Sequence, residues 1–119
     1  MSAQILFSVP IAKARKWLDD ASAVDWTAAE LLEWANDAVA YIMSLRPDTR
    51  IAADHTEVTF TAVTNVATEY IPFANAEKWS IVIAHYIAIQ GFSQDAGDER
   101  DASRAAYHQE QFDKAIAGI

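Results

Sequence analysis

The sequence predicts a mainly α-helical domain, a four-helix antiparallel arrangement with a small β hairpin or strand insertion between helices two and three. Three observations support this prediction. A capping-box motif opens a helix at Thr27. The stretch from Trp79 to Phe92 is apolar almost all round, so it must be surrounded by other elements. Between these two helices, residues 57–63 alternate between apolar and polar side chains, which is typical of a strand.

Length and composition indicate one folded domain over residues 1–119. Hydrophobic residues make up 52% and charged residues 22% of the chain, which is the composition of a globular protein. There is no cysteine, which excludes a disulfide scaffold and a cysteine-zinc site. The formal net charge is −8 and is spread evenly along the chain. A nucleic-acid-binding protein draws its affinity from cations that neutralise phosphates, and the sequence has no basic patch for that purpose.

The first helix is predicted over residues 9–20. Ser8 can cap it, and Pro10 falls in its opening turn, where proline is tolerated. Its apolar residues recur at helical spacing, namely Ile11, Ala14, Trp17 and Leu18.

The second helix is predicted over residues 28–45, with clear signals at both ends. At its start, the Thr27 hydroxyl can accept from a backbone N–H while the Glu30 side chain reaches back to Thr27. At its end, Pro47 disfavours helical backbone at Arg46. One apolar stripe follows the helical period, namely Leu31, Ala35, Ala38, Ile42 and Leu45.

The middle of the chain holds the predicted β element. Residues 48–54 have the composition of a loop, and residues 57–63 form the predicted strand, with residues 66–71 as a potential partner. The link Thr64-Asn65 lacks the glycine of a strong hairpin turn. A hairpin and a single strand followed by an extended loop therefore both fit.

The last two helices form a predicted antiparallel hairpin. Asn75 can cap the third helix, which ends near residues 94–96 with Gly97 as the break. Asp98 can cap the fourth helix, predicted over residues 99–117. A connection this short places the two helices side by side. The predicted inner stripe of the fourth helix is Ala102, Ala105 or Ala106, Gln109, Phe112 and Ile116.

No residue pattern indicates catalysis or a cofactor. The three histidines lack metal-ligand spacing, and His85, within the apolar helix, is expected to be a satisfied core or interface histidine. Residues 95–101 lack the order of a calcium loop, and an acidic helix–helix turn explains them. The sequence therefore predicts no enzyme, no catalytic residue, no metal and no cofactor. The stretch from Trp79 to Phe92 is shorter than the roughly 20 apolar residues of a membrane span, so no membrane partner is expected.

Four residues are candidates for a subunit or portal-type protein interface. Trp34 lies about one residue's rotation off the apolar stripe of the second helix, and tryptophan is enriched at interfaces. Tyr70, Ile71 and Phe73 crowd an otherwise irregular segment. They either cover the core or contact a neighbouring molecule.

Two segments, in this order, resemble a known family. The first is WTAAELLEWANDA at residues 26–38, continuing to LRPD at residues 45–48. The second runs from AHY at residues 84–86 through GFSQDA at residues 91–96 to RAAYH at residues 104–108. Together they resemble the phage head–tail adaptor (portal–tail connector) family of short-tailed bacteriophages.

The resemblance implies a structural virion protein. Such an adaptor docks beneath the portal protein, associates with itself in a ring of about twelve copies, and presents a platform to a tail or nozzle protein. DNA passes through the lumen without specific binding. The protein would be made in the host cytoplasm and reside in the virion, at the neck between capsid and tail. A small helical protein-interaction module, such as a regulator or inhibitor without catalysis, also fits the residues.

Overall fold

The computed structural model describes residues 5–18, 26–50, 64, 69–73, 76–93 and 99–118. Four α-helices account for most of these residues, which confirms the mainly α-helical class. The helices are α1 (Ser8–Trp17), α2 (Ala28–Leu45), α3 (Ala76–Ser93) and α4 (Glu99–Ala117), with a 3-10 turn at Pro47–Arg50 after α2.

Helix α3 is the centre of the fold, as its uniform hydrophobicity predicts. It packs against α1, α2 and α4, and its contact with α4 is the most extensive of the three. Ile83, Ala84 and Ile87 are fully buried. From the other helices the core receives, among others, Ile11, Ala14, Leu31, Ala35, Ile42 and Phe112.

Helix α2 begins and ends where its signals predict. The backbone N–H of Glu30 donates to the Thr27 hydroxyl at 3.2 Å, and the Thr27 N–H donates to the Glu30 carboxylate at 3.3 Å. Both halves of the capping box are therefore formed. Arg46 leaves the helical region, with φ −126° and ψ 85°, directly before Pro47.

Replacing Thr27 with alanine should lower the free energy of unfolding by about 1 kcal/mol, because the N–H of Glu30 loses its acceptor. Thr27→Ser keeps the hydroxyl and should stay close to the parent protein. Urea denaturation of the three proteins measures the difference. Equal stability of the alanine and serine variants would contradict a role for the capping box.

Helix α1 differs from its prediction at the start. It begins at Ser8 itself, and the cap position is Phe7, where no side-chain hydrogen bond forms. Phe7 is fully buried. The helix therefore begins after a buried phenyl ring and without a hydroxyl cap. The helix ends at Trp17 with its cap at Leu18, so Leu18 lies outside the helix predicted to include it. Residues 19–20 lie outside the described ranges.

The predicted β insertion lies mostly outside the described residues, which include neither 57–63 nor 66–68. Within the described ranges there is no sheet, and an isolated antiparallel bridge joins Leu6 to Tyr70. The N–H of Phe7 donates to the Glu69 carbonyl at 3.1 Å, and the N–H of Ile71 donates to the Ile5 carbonyl at 2.8 Å. The segment at residues 69–71 therefore pairs with the start of the chain.

The predicted loop after α2 also starts differently, because residues 47–50 form a 3-10 turn. The Thr49 hydroxyl donates to the Arg46 carbonyl at 2.6 Å, and the Thr49 N–H donates to the same oxygen at 2.9 Å. These two bonds satisfy a carbonyl that the end of α2 leaves open.

The inner face of α4 is partly different from the predicted stripe. Phe112 is buried and Ile116 is half-buried, as predicted, but Ala102 and Gln109 are exposed. His108 takes the inner position in place of Gln109 and is buried. A polar ring can lie there because it finds a hydrogen-bond partner inside the fold.

A close contact between the end of α1 and α3 depends on Gly91. A Cβ atom at this position would lie 2.6 Å from one methyl carbon of Leu18, and Leu18 is buried against Ala88 and Phe92. We expect Gly91→Ala to destabilise the protein by about 1 kcal/mol despite the better helix propensity of alanine. In a Leu18→Ala background the same change should stabilise it. A double-mutant cycle by urea denaturation measures the coupling, and additive effects would contradict the close contact.

Candidate functional site

A buried pair of histidines joins α3 to α4. The Nδ1 atoms of His85 and His108 are 2.8 Å apart, a hydrogen-bond distance. The two residues are 9% and 6% exposed, so the pair belongs to the interior. A hydrogen bond between two Nδ1 atoms requires that one ring carries its proton on Nδ1 and donates it. The other ring must then have an unprotonated Nδ1 that accepts. His85 is therefore a buried histidine with a hydrogen-bond partner, as expected from its place in the apolar helix, and the partner is His108.

Aromatic rings enclose this pair. Trp17 of α1 stacks on His85, with ring centroids 4.6 Å apart, and lies 4.8 Å from His108. Phe92 stacks on His108 at 5.8 Å, and Tyr107 meets His108 edge to face at 5.1 Å. The cluster therefore ties three helices together through one set of rings.

The surroundings favour the neutral state of both rings. Burial, together with the nearby charges of His108 and Lys13, lowers the pKa of His85 to about 4. Burial also lowers the pKa of His108. The pair can accept a proton in acid, but in the fold it has cationic neighbours and little water to stabilise the charge.

Two clefts flank α4, one on each side of its contact with α3. The first, which we call the lysine cleft, has a volume of about 290 Å³. The second, the tyrosine cleft, has a volume of about 280 Å³. Gln111 lines the first and Gln109 lines the second, and residues two apart on a helix point to opposite sides. The lysine cleft is lined by Lys78, Ile81, Val82, His85, Gln111, Lys114 and Ala115; the tyrosine cleft is lined by Tyr41, Tyr86, Ile89, Gln90, Gln109 and Phe112.

Aromatic side chains form much of the lining of the tyrosine cleft. Tyr41 stacks on Phe112 at 5.9 Å, and Tyr86 lies 5.9 Å from the same ring. Burial raises the pKa of Tyr86, and the charge of Asp37 and the neighbouring Tyr41 raise it further. The negative charge of α2 therefore reaches this cleft.

Arg46, in the LRPD segment, caps the carboxyl end of α4 with its side chain. Its Nε and Nη2 donate to the two carboxylate oxygens of Asp48, each at 2.9 Å. Its Nη1 donates to the carbonyls of Ile116 at 2.9 Å and Ala115 at 3.4 Å. The guanidinium also lies 5.7 Å from the centre of the Trp79 ring. A cation at the carboxyl end of a helix satisfies open carbonyls and opposes the helix dipole.

The four candidate interface residues fall into different environments. Ile71 and Phe73 are buried in the core, where Phe73 meets Trp79 edge to face at 5.7 Å. Trp34 is half-buried against the core, and Tyr70 is exposed. The structure does not bring these four residues together in one surface, and Tyr70 is the most accessible of them.

The histidine pair had a signal in the sequence. In an antiparallel hairpin, residues at equal distances from the turn face each other. His85 lies 11 residues before the middle of the connection at residues 94–98, and His108 lies 12 residues after it. The predicted hairpin of helices three and four therefore places the two residues at similar levels, while the packing of α3 against α4 decides that their rings meet.

Within the described ranges, no group of three or more histidine, cysteine, aspartate or glutamate residues is arranged to hold a metal ion. None of the helices in this part of the chain has the length and hydrophobicity needed to span a membrane. Comparisons with protein-family models, with curated proteins and with solved structures find no match.

Proposed function

We propose that this protein is a head–tail adaptor of a tailed bacteriophage, a structural virion protein without catalytic activity. Copies of it would form a ring that joins the portal protein to a tail or nozzle protein. DNA would pass through the ring without specific binding. The protein would reside at the neck of the virion after synthesis in the host cytoplasm.

The observation that carries the proposal is the resemblance of two sequence segments to the adaptor family. The first contains the LRPD motif, and the second runs from α3 into the first half of α4. Tyr41, within the first segment, packs against Tyr86 of the second with ring centroids 6.1 Å apart, so the two segments are in contact. Motifs that resemble one family are more informative when they form one unit than when they lie apart.

Charge supports the role of a DNA passage. The chain carries a formal net charge of −8. A negatively charged wall repels phosphates and offers no site at which DNA would be held. A protein whose task was to grip DNA would need the opposite charge.

The direct test is electron microscopy of phage particles that lack this protein. We expect heads without tails that lose their DNA. Purified adaptor mixed with the cognate portal should add a ring of density beneath it. Complete, infectious particles without the protein would refute the proposal. A stoichiometric complex with an unrelated partner would instead favour the helical interaction module.

A second test concerns free subunits. Rings formed in solution would interfere with ordered head assembly, so we expect isolated copies to be monomeric at ordinary concentrations and to form rings on the portal. Sedimentation measures the state of the isolated protein. Large stable oligomers in the absence of portal would contradict this expectation.

A further inference from the structure

On one side of α4 two lysines line a cleft, and on the other side carboxylates of α2 and α4 are exposed beside a second cleft; both sides expose apolar side chains. We propose that the lysine cleft of one copy binds the acidic outer face of α2 and the adjoining tyrosine cleft of a second copy, head to tail. The inference rests on the proposed ring and identifies the two surfaces that would build it.

The lysine-cleft side combines exposed apolar groups with cations. Ile81 on α3 is 46% exposed, and Tyr107 on α4 is 56% exposed. Lys78 on α3 and Lys114 on α4 line the same cleft. Glu110 pairs with Lys114 at 3.3 Å but leaves this lysine more than half exposed. Apolar and aromatic anchors framed by charges are the composition of protein interfaces.

The opposite side combines an exposed aromatic ring with carboxylates. Glu33 and Asp37 are exposed one turn apart on α2, and Asp113 is exposed on α4 next to Gln109. Tyr41, at the rim of the tyrosine cleft, is 47% exposed. This surface therefore offers carboxylates to lysines and a ring to an aliphatic anchor.

Charge complementarity between the two surfaces makes a second copy a suitable occupant and favours one orientation. Two chains of net charge −8 repel each other in most orientations. Contact is favourable where the lysines of one copy meet the carboxylates of the other. Because the two surfaces lie on different sides of α4, one pair of copies leaves a free surface at each end. Such a heterologous contact repeats and can close into a ring.

The lack of cysteine in the native chain makes a direct cross-linking test simple. Gln111→Cys places a thiol in the lysine cleft, and Ala40→Cys places one on the exposed face of α2. Each variant is incubated alone and the two are mixed, at millimolar protein concentration, with a short bismaleimide. We expect dimers in the mixture and little product from either variant alone. Products from each variant alone that equal those of the mixture would overturn the head-to-tail contact, as would no product at all.

Charge reversal tests the recognition. Lys78→Glu with Lys114→Glu in the Gln111→Cys copy should reduce the yield about tenfold. Glu33→Lys with Asp37→Lys in the Ala40→Cys copy should do the same. Combining the two reversed copies should restore cross-linking. Lys16→Glu, an exposed change on α1, is the control and should have little effect. Failure of the reversed pair to recover would overturn the charge pairing.

These results separate the interface from the proposed function. Rings on the portal, together with no cross-linking between the two thiols, would mean that the adaptor role stands and this interface is wrong. Charge-dependent cross-linking, together with no binding to portal, would mean that the interface stands and the adaptor role is wrong.

Discussion

Acidification from pH 6.5 to about 4 is expected to lower the free energy of unfolding by on the order of 3 kcal/mol through His85 alone. The pKa of this residue falls from its ordinary 6.5 to about 4 in the fold. Each unit of difference corresponds to about 1.4 kcal/mol. The pKa of His108 is also lowered, so it acts in the same direction.

The sign follows from proton binding. Between pH 6.5 and 4 the unfolded chain binds more protons at His85 than the folded chain does, so protons favour unfolding. The contribution is fully present above pH 6.5 and is lost as the pH falls towards 4. The hydrogen bond from Arg46 lowers the pKa of Asp48 below its ordinary 3.8. Protonation of the Asp48 carboxylate therefore affects stability only at a pH below that range. The effects of His85 and Asp48 on stability fall in separate ranges of pH.

The geometry of the histidine pair explains why acidification should loosen the packing between α3 and α4. With the Nδ1 atoms 2.8 Å apart, one N–H can lie between them, and full protonation of both rings would place two donors against each other. Lys13 of α1 is a cation whose charge acts on His85, and Lys78 of α3 and Lys114 of α4 line the cleft that His85 also lines. Since Trp17 stacks on His85, its fluorescence should report the change.

Variants at the two histidines separate the hydrogen bond from burial. Either His85→Leu or His108→Leu alone leaves one buried ring without its partner and should cost about 2 kcal/mol at pH 7. The double variant should cost less than the sum, since no unpaired polar ring remains. It should also lose most of the dependence on pH between 6.5 and 4.5. Urea denaturation across this range measures both, and a parent protein with the same pH slope as the double variant would contradict the assignment.

Removing the guanidinium of Arg46 is expected to lower the free energy of unfolding by about 2–3 kcal/mol. Arg46→Met keeps an apolar stem beside Trp79 and removes the donors to the carbonyls of Ala115 and Ile116. The last turn of α4 should open more often, because its carbonyls lose a charged partner. Denaturation measures the loss, and hydrogen exchange of amides 114–117 locates it.

Two matched variants identify the part of Arg46 that matters. Arg46→Lys keeps the charge but loses the fork that holds Asp48 and α4 at once, so about half of the loss should remain. Asp48→Asn removes the ion pair and leaves the bonds to α4. Because Asp48 is well exposed, this change should have a small effect. An Arg46→Met protein with parental stability and unchanged exchange would contradict the role of Arg46 at the end of α4.

Arg46 also shows what a motif can mean beyond its local signal. In the sequence, Arg46-Pro47 predicts the end of α2, and this prediction is confirmed. The structure adds that the same arginine holds the end of α4, 70 residues away. Disruption of this contact would therefore disturb the turn after α2 and the end of α4 together.

The sequence by itself determined the helical class, both ends of α2, the central place of α3 and the bounds of α4. These features depend on bonds and periodicity within a few residues, such as the capping box of Thr27 and Glu30. Such signals are local, so the amino-acid order is sufficient to predict them.

Only the tertiary structure decided which polar groups meet inside the fold. The pairing of His85 with His108 spans 23 residues, and the bridge from Leu6 to Tyr70 joins segments that no local pattern connects. The same pairing explains why His108 lies on the inner face of α4. A polar ring can be buried there because His85 provides a hydrogen-bond partner. Hydrogen bonds within a turn can be predicted from neighbours in the chain, whereas bonds between elements depend on packing that brings distant residues together.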